Sequence, residues 1–169
     1  MSADQTMGSV RRKVVTDTGT FDAELRTLAY AMVNSFVTQH AIMSSAVGMR
    51  PAKLLVYLVI VAATTQKQMR VPHPTAEFRA GAKIPVDKFG HISRRAIGTA
   101  TGVPNENVRR IVNELIAEEL VIVGPSGGVR NTGGNFQNPA VMAALKQMFA
   151  EQIRLQQIFL DTGAIAVSA

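Results

Sequence analysis

Within the stretch NENVRR, Asn105, Asn107, Arg109 and Arg110 bring two carboxamides and two guanidinium groups close together. Such groups bond base edges and phosphates. A carboxamide matches adenine and a guanidinium matches guanine, and each good bidentate pair discriminates by about 1–3 kcal/mol. Gly102 and Pro104 precede the stretch, so it opens a helix, whose free N–H groups and partial positive charge also favour phosphate. Glu106 is the dissonant member, because a carboxylate repels phosphate. It could accept from a cytosine amine or cap the helix end, and capping is the better account.

Catalysis finds little to use elsewhere. The chain has no cysteine, which removes thiolate chemistry, disulfides and cysteine-ligated zinc. His40, His73 and His91 show neither metal-ligand spacing nor neighbouring carboxylate pairs, and no serine sits in a nucleophile elbow. GPSGG, residues 124–128, is not followed by lysine and so is a turn rather than a phosphate loop. The eight methionines lie mostly on helices, as core or interface filler. No enzyme, metal or cofactor is expected.

Charge supports the polyanion reading. Between Arg50 and Arg110 stand eleven Lys or Arg against Glu77, Asp87 and Glu106, so this segment carries +8 of a net +6 and the remainder carries −2. A basic middle between near-neutral flanks suggests one surface facing a polyanion, with an ordinary solvated face as the alternative. An apolar content of 47% over 169 residues is enough for one globular domain with a buried core. The longest apolar run, LLVYLVIVAA from Leu54, is too short to span a bilayer, and no secretory signal precedes it. A cytoplasmic protein without a membrane partner is the expectation.

The elements that must position the polar stretch follow from periodicity. Residues 1–20 lack it and are expected to be a mobile arm that carries Arg11, Arg12 and Lys13. Residues 21–169 form the domain. Leu25, Leu28, Met32, Val33, Phe36, Val37 and His40 predict a helix over 21–48, and Pro51 opens a second, nearly all-apolar helix to about Met69. A loop-like stretch with KIPV as a short edge strand leads to Ser93, a good N-cap, with Ile92 and Ile97 placed for a hydrophobic staple. Gly102 turns this short helix out of itself. A helix over 105–119 follows, burying Val108, Ile111, Val112 and Leu115. LVIVGPSGGVRN is a hairpin, and Asn138-Pro139 starts a helix over 138–161. The fold class is mainly α: a winged helix-turn-helix, core 51–133, with flanking N- and C-terminal helices and a small β-hairpin wing.

From Ser93 to Val121 the line SRRAIGTATGVPNENVRRIVNELIAEELV resembles the winged helix-turn-helix of bacterial transcriptional regulators, notably the GntR and MarR superfamilies. Gly102-Val103, Val108-Arg109, Leu115 and Glu118-Glu119-Leu120 carry the likeness, which covers about 40 residues with the wing. The resemblance implies that Asn105, Glu106, Asn107 and Arg109 lie at the base-reading end of the recognition helix. It implies that Ser93, Arg94 and Arg95 meet the phosphate backbone, and that Ser126 and Arg130 lie on the wing. The sequence departs from the pattern at three positions. Gly98 replaces an alanine and would loosen the helix crossing, Pro104 replaces a Ser or Thr cap, and Glu119 replaces the glycine that ends the recognition helix.

Helices on both sides of the module match the MarR-like arrangement, which implies a homodimer through 21–48 and 138–161. The expected function is therefore sequence-specific binding of double-stranded DNA in transcription regulation. The arrangement leaves room for a small-molecule effector, with no convergent polar set in the sequence to mark its site. The alternative is a winged helix used for protein interaction, or for plasmid or phage replication and partition.

Overall fold

A computed structural model describes residues 13–70, 85–134 and 137–168. The chain divides into two compact units, Ile42–Lys146 and the residues on either side, up to Ala41 and from Gln147 onward. The elements in order are β1 (Lys13–Thr16), α1 (Thr18–Ala23), α2 (Leu25–Val47), α3 (Pro51–Met69), a 3-10 turn (Val86–Lys88), α4 (Arg94–Thr101), α5 (Asn105–Ala117), β2 (Val121–Val123), β3 (Val129–Asn131), α6 (Pro139–Asp161) and β4 (Ile165–Ser168). The protein is mainly helical with a small antiparallel hairpin, as the periodicity predicts. Among the described residues no single helix is long and apolar enough to cross a membrane.

In the 42–146 unit the core is built around α3. Pro51 occupies its first turn, and Leu54, Val56, Tyr57 and Ile60 are buried along it. α3 packs against α4, α5 and β3, which bury Ile97, the stripe Val108, Ile111, Val112 and Leu115, and Val129, while Val121 is buried on β2 beside α5. The hairpin pairs Val121 with Asn131, Ile122 with Arg130 and Val123 with Val129. Its one fully buried amide is satisfied. Asn131 donates from Nδ2 to Thr64 Oγ1 at 3.1 Å, and that hydroxyl donates to the Ile60 carbonyl at 2.8 Å. The Gly133 N–H donates to Asn131 Oδ1 at 2.6 Å. Such a network stabilises only when every member has a partner, and here each does.

In the other unit β1 pairs antiparallel with β4, from Lys13 opposite Ser168 to Thr16 opposite Ile165. The Asp17 carboxylate accepts from the Gly19 and Thr20 N–H groups and caps α1. Residues 13–20, read from sequence as part of a mobile arm, are therefore strand and capped helix. Backbone pairing with the far end of the chain supplies the order that apolar periodicity did not announce. Residues 1–12 lie outside the described residues, with Arg11 and Arg12 among them. The helix expected over 21–48 is divided, because Glu24 leaves helical geometry between α1 and α2. Gly48, at φ +62°, ends α2.

α2 turns a narrow face inward in this unit. Leu28, Ala31 and Ser35 are buried, and Ser35 Oγ accepts from Gln39 Nε2 at 3.0 Å. Outward stand Tyr30 (74% exposed), Val33 (64%) and Phe36 (72%), with Leu25, Met32 and Val37 beside them. On α6, Leu155 is buried while Phe149 and Ile153 are exposed.

Candidate nucleic-acid interface

α4 is short, so its ends must be well closed. Ser93 Oγ accepts from the Ala96 N–H at 3.1 Å, and Ile92, just before this cap, bridges to Val129 of β3 through two backbone hydrogen bonds of 2.8 and 2.9 Å. The start of α4 is thereby tied to the hairpin. At the other end Gly102 takes φ +69°, and its N–H donates to the Gly98 carbonyl at 2.9 Å. Only glycine adopts that geometry without cost. Pro104, in extended geometry, then opens α5.

The crossing of α4 and α5 differs from the sequence expectation. Gly98 does not loosen it: a Cβ there would lie 2.5 Å from Asn105 Oδ1. The missing side chain is the space in which the Asn105 carboxamide sits, and the contact is close. Asn105 remains an exposed residue at the start of α5, with its oxygen turned toward α4.

α5 is amphipathic without ambiguity. Its buried stripe faces α3, and Asn105, Glu106, Asn107, Arg109 and Arg110 are all exposed on its first turns. The structure brings these five together on one helix end. Glu106 stands in the first turn of α5 but makes no capping hydrogen bond to the helix end. Arg109 sits three residues on, where its guanidinium reaches both carboxylate oxygens, from Nη2 at 2.7 Å and Nε at 3.2 Å. These bonds hold the Glu106 carboxyl below the usual carboxylate range and push Arg109 upward. Arg110 donates to Glu114 at 3.0 Å.

The far end of α5 lies two residues short of the expected 119. The Glu119 N–H bonds the Ile116 carbonyl, the Leu120 N–H bonds that of Leu115, and Glu119 itself takes φ +58°. This is a Schellman closure with glutamate at the left-handed position. Glutamate fills the conformational role that glycine usually fills.

The hairpin turn carries the remaining candidates. Ser126 is exposed at the turn, and Arg94 donates to the Gly127 carbonyl at 3.3 Å. Arg130 is half-buried on β3; its Nε and that of Arg94 are enclosed with no hydrogen-bond partner among the described residues. Arg95 is exposed on α4. His91, which the sequence offered no role, rests its ring where a side chain at Gly124 would have to go. The pairing of glycines 124 and 128 with a preceding ring was the available signal.

Sequence reasoning also missed a charge cluster. Arg50 donates to both oxygens of Glu114 at 2.9 and 3.0 Å, and the largely buried Lys53 pairs with Glu118 and lies 3.8 Å from Glu114. The hydrogen bond from Arg50 is the main influence holding the Glu114 carboxyl low. Part of the basic segment is therefore neutralised by carboxylates that follow it in sequence. Lys83 and Ile84 of KIPV, together with Glu77, Arg79 and His73, lie outside the described residues, while Val86 falls in the 3-10 turn. Among the described residues no three His, Asp or Glu side chains converge on a metal position.

The chain matches no family model, no curated protein and no solved structure.

Proposed function

We propose that residues 92–131 act as a winged helix-turn-helix that binds double-stranded DNA in a sequence-specific way, as a transcriptional regulator. α5 would lie in the major groove and the β2–β3 hairpin would serve as the wing. One observation carries the reading: every polar side chain of the first two turns of α5 is exposed, while its whole apolar stripe is buried. A helix used only to close a core has no need for an outward row of two carboxamides and two guanidinium groups. Arg95 on α4 and Ser126 on the hairpin would meet flanking phosphates. Arg94 and Arg130 would act beside them at the base of the wing.

The homodimer belongs to the same proposal. Tyr30, Val33 and Phe36 form an exposed apolar surface on one side of α2, and contiguous apolar surface of this kind marks contact sites. A second copy fits the need of a small regulator to present two reading helices to a two-fold site.

The test is binding to duplexes selected from a random pool, measured at two salt concentrations. Affinity should fall steeply with salt. Arg110→Ala should weaken binding to all duplexes, and Arg109→Ala should also relax preference at one base step. Wild-type binding by both variants would refute the assignment of α5.

A further inference from the structure

A cavity of about 530 Å³ lies within the 42–146 unit, away from the exposed first turns of α5. Five pieces of chain converge on it: the end of α2 with the turn after it, the first half of α3, the junction between α5 and β2, the segment after β3, and the start of α6. Met43, Met49, Leu54, Val61 and Leu145 give it an apolar body. Its size and lining are those of a small-molecule site.

Its polar part is concentrated. Glu118, Glu119, Thr132 and Asn138 stand in the wall, and among the described lining residues the only formal charges are the two carboxylates. That is a local reversal in a chain of net charge +6. Glu118 is committed to Lys53. Thr132 donates its hydroxyl proton to the Glu119 carbonyl at 3.0 Å, and Asn138 Oδ1 accepts from the Ala140 N–H. The Glu119 carboxylate has no ion pair or hydrogen bond among the described residues.

Glu119 is also the one described non-glycine residue with positive φ. A left-handed conformation is unfavourable for a residue with a Cβ, and glycine would remove the cost. A strained position that keeps an exposed charged side chain beside an apolar cavity points to a use for the charge.

We infer that this cavity binds a small amphipathic organic cation, its apolar body among Met49, Leu54 and Val61 and its ammonium group beside Glu119. The site is independent of nucleic-acid binding, although its wall at Glu118–Leu120 is the exit from α5 into the hairpin.

The test uses the full chain and three probes of matched shape: benzyltrimethylammonium, its neutral isostere neopentylbenzene, and the anion phenylacetate. Calorimetric titration and the thermal midpoint should show saturable binding of the cation, weaker binding of the neutral probe and none of the anion. Glu119→Gln should weaken the cation about five- to tenfold and leave the neutral probe unchanged. Leu58→Trp, which fills the cavity from α3, should abolish both. The inference is overturned if the cation fails to saturate wild-type protein, if the neutral probe or the anion binds as tightly, or if the cation binds Leu58→Trp unchanged. Unchanged cation affinity in a folded Glu119→Gln protein would equally remove Glu119 from the site.

Discussion

α5 and α2 treat their apolar residues in opposite ways. On α5 the four residues of the stripe are buried and the opposite face is polar. On α2 the buried face is Leu28, Ala31 and Ser35, while its larger side chains, Tyr30 and Phe36, stand in solvent. Beside the buried Leu28, this helix therefore leaves two aromatic side chains exposed. The first helix buries its whole stripe within its own chain, and the second leaves much of its apolar surface exposed.

The sharpest way to break this contrast is inside α5. Leu115→Ala removes a fully buried side chain and should cost about 2–5 kcal/mol in denaturant unfolding. A loss under about 1 kcal/mol would mean that the stripe is not a packed core. On α2, Phe36→Ala should weaken a dimer by about 2 kcal/mol if that residue is an anchor. The paired change Val33→Asp and Phe36→Asp should leave a folded monomer by light scattering. An unchanged dimer would show that the exposed face is not its seat.

A smaller effect, of the opposite sign, is expected at the end of α5. Glu119→Gly relieves the left-handed strain and gives up some unfolded-state restriction, so it should stabilise by about 0.5–1 kcal/mol. A destabilised variant would mean that Glu119 makes contacts in the folded protein that outweigh its strain.

The smallest concerns pH. Glu114 is held below its ordinary value of 4.5, first by the hydrogen bond from Arg50. A lowered carboxyl contributes stability above its unfolded pKa and loses it as pH falls through the folded one. The wild type should therefore exceed Glu114→Gln in thermal midpoint at neutral pH, and the gap should close under acid. A gap that stays constant down to acid pH would exclude the ion pair as its cause.

What the sequence made legible was local. Ser93, Gly102 and the α5 stripe are short-range signals, each decided within one or two helical turns, and each fell where expected. α2 was legible as a helix but not as a surface. Its apolar arc spans both the buried and the exposed sides, and only the small residues Ala31 and Ser35 marked the inward one. The β1–β4 pairing joins segments some 150 residues apart, and a four-residue strand offers no period to detect. The same distance hid the ion pairs: Arg50 and Glu114 are 64 positions apart, so a count of charge along the chain placed them on opposite sides of the tally.

Asn131 has one more consequence. Its amide must meet a particular hydroxyl on α3, and that hydroxyl is itself committed to Ile60. Sliding β3 by a single residue would turn this amide outward and carry a neighbour's side chain, Arg130 or Thr132, into an apolar interior. Hydrophobic packing favours the same register, because Val129 shares the buried face of β3 with Asn131. A lone polar pin therefore indexes the hairpin against the helix behind it, and fixes the angle at which its turn projects.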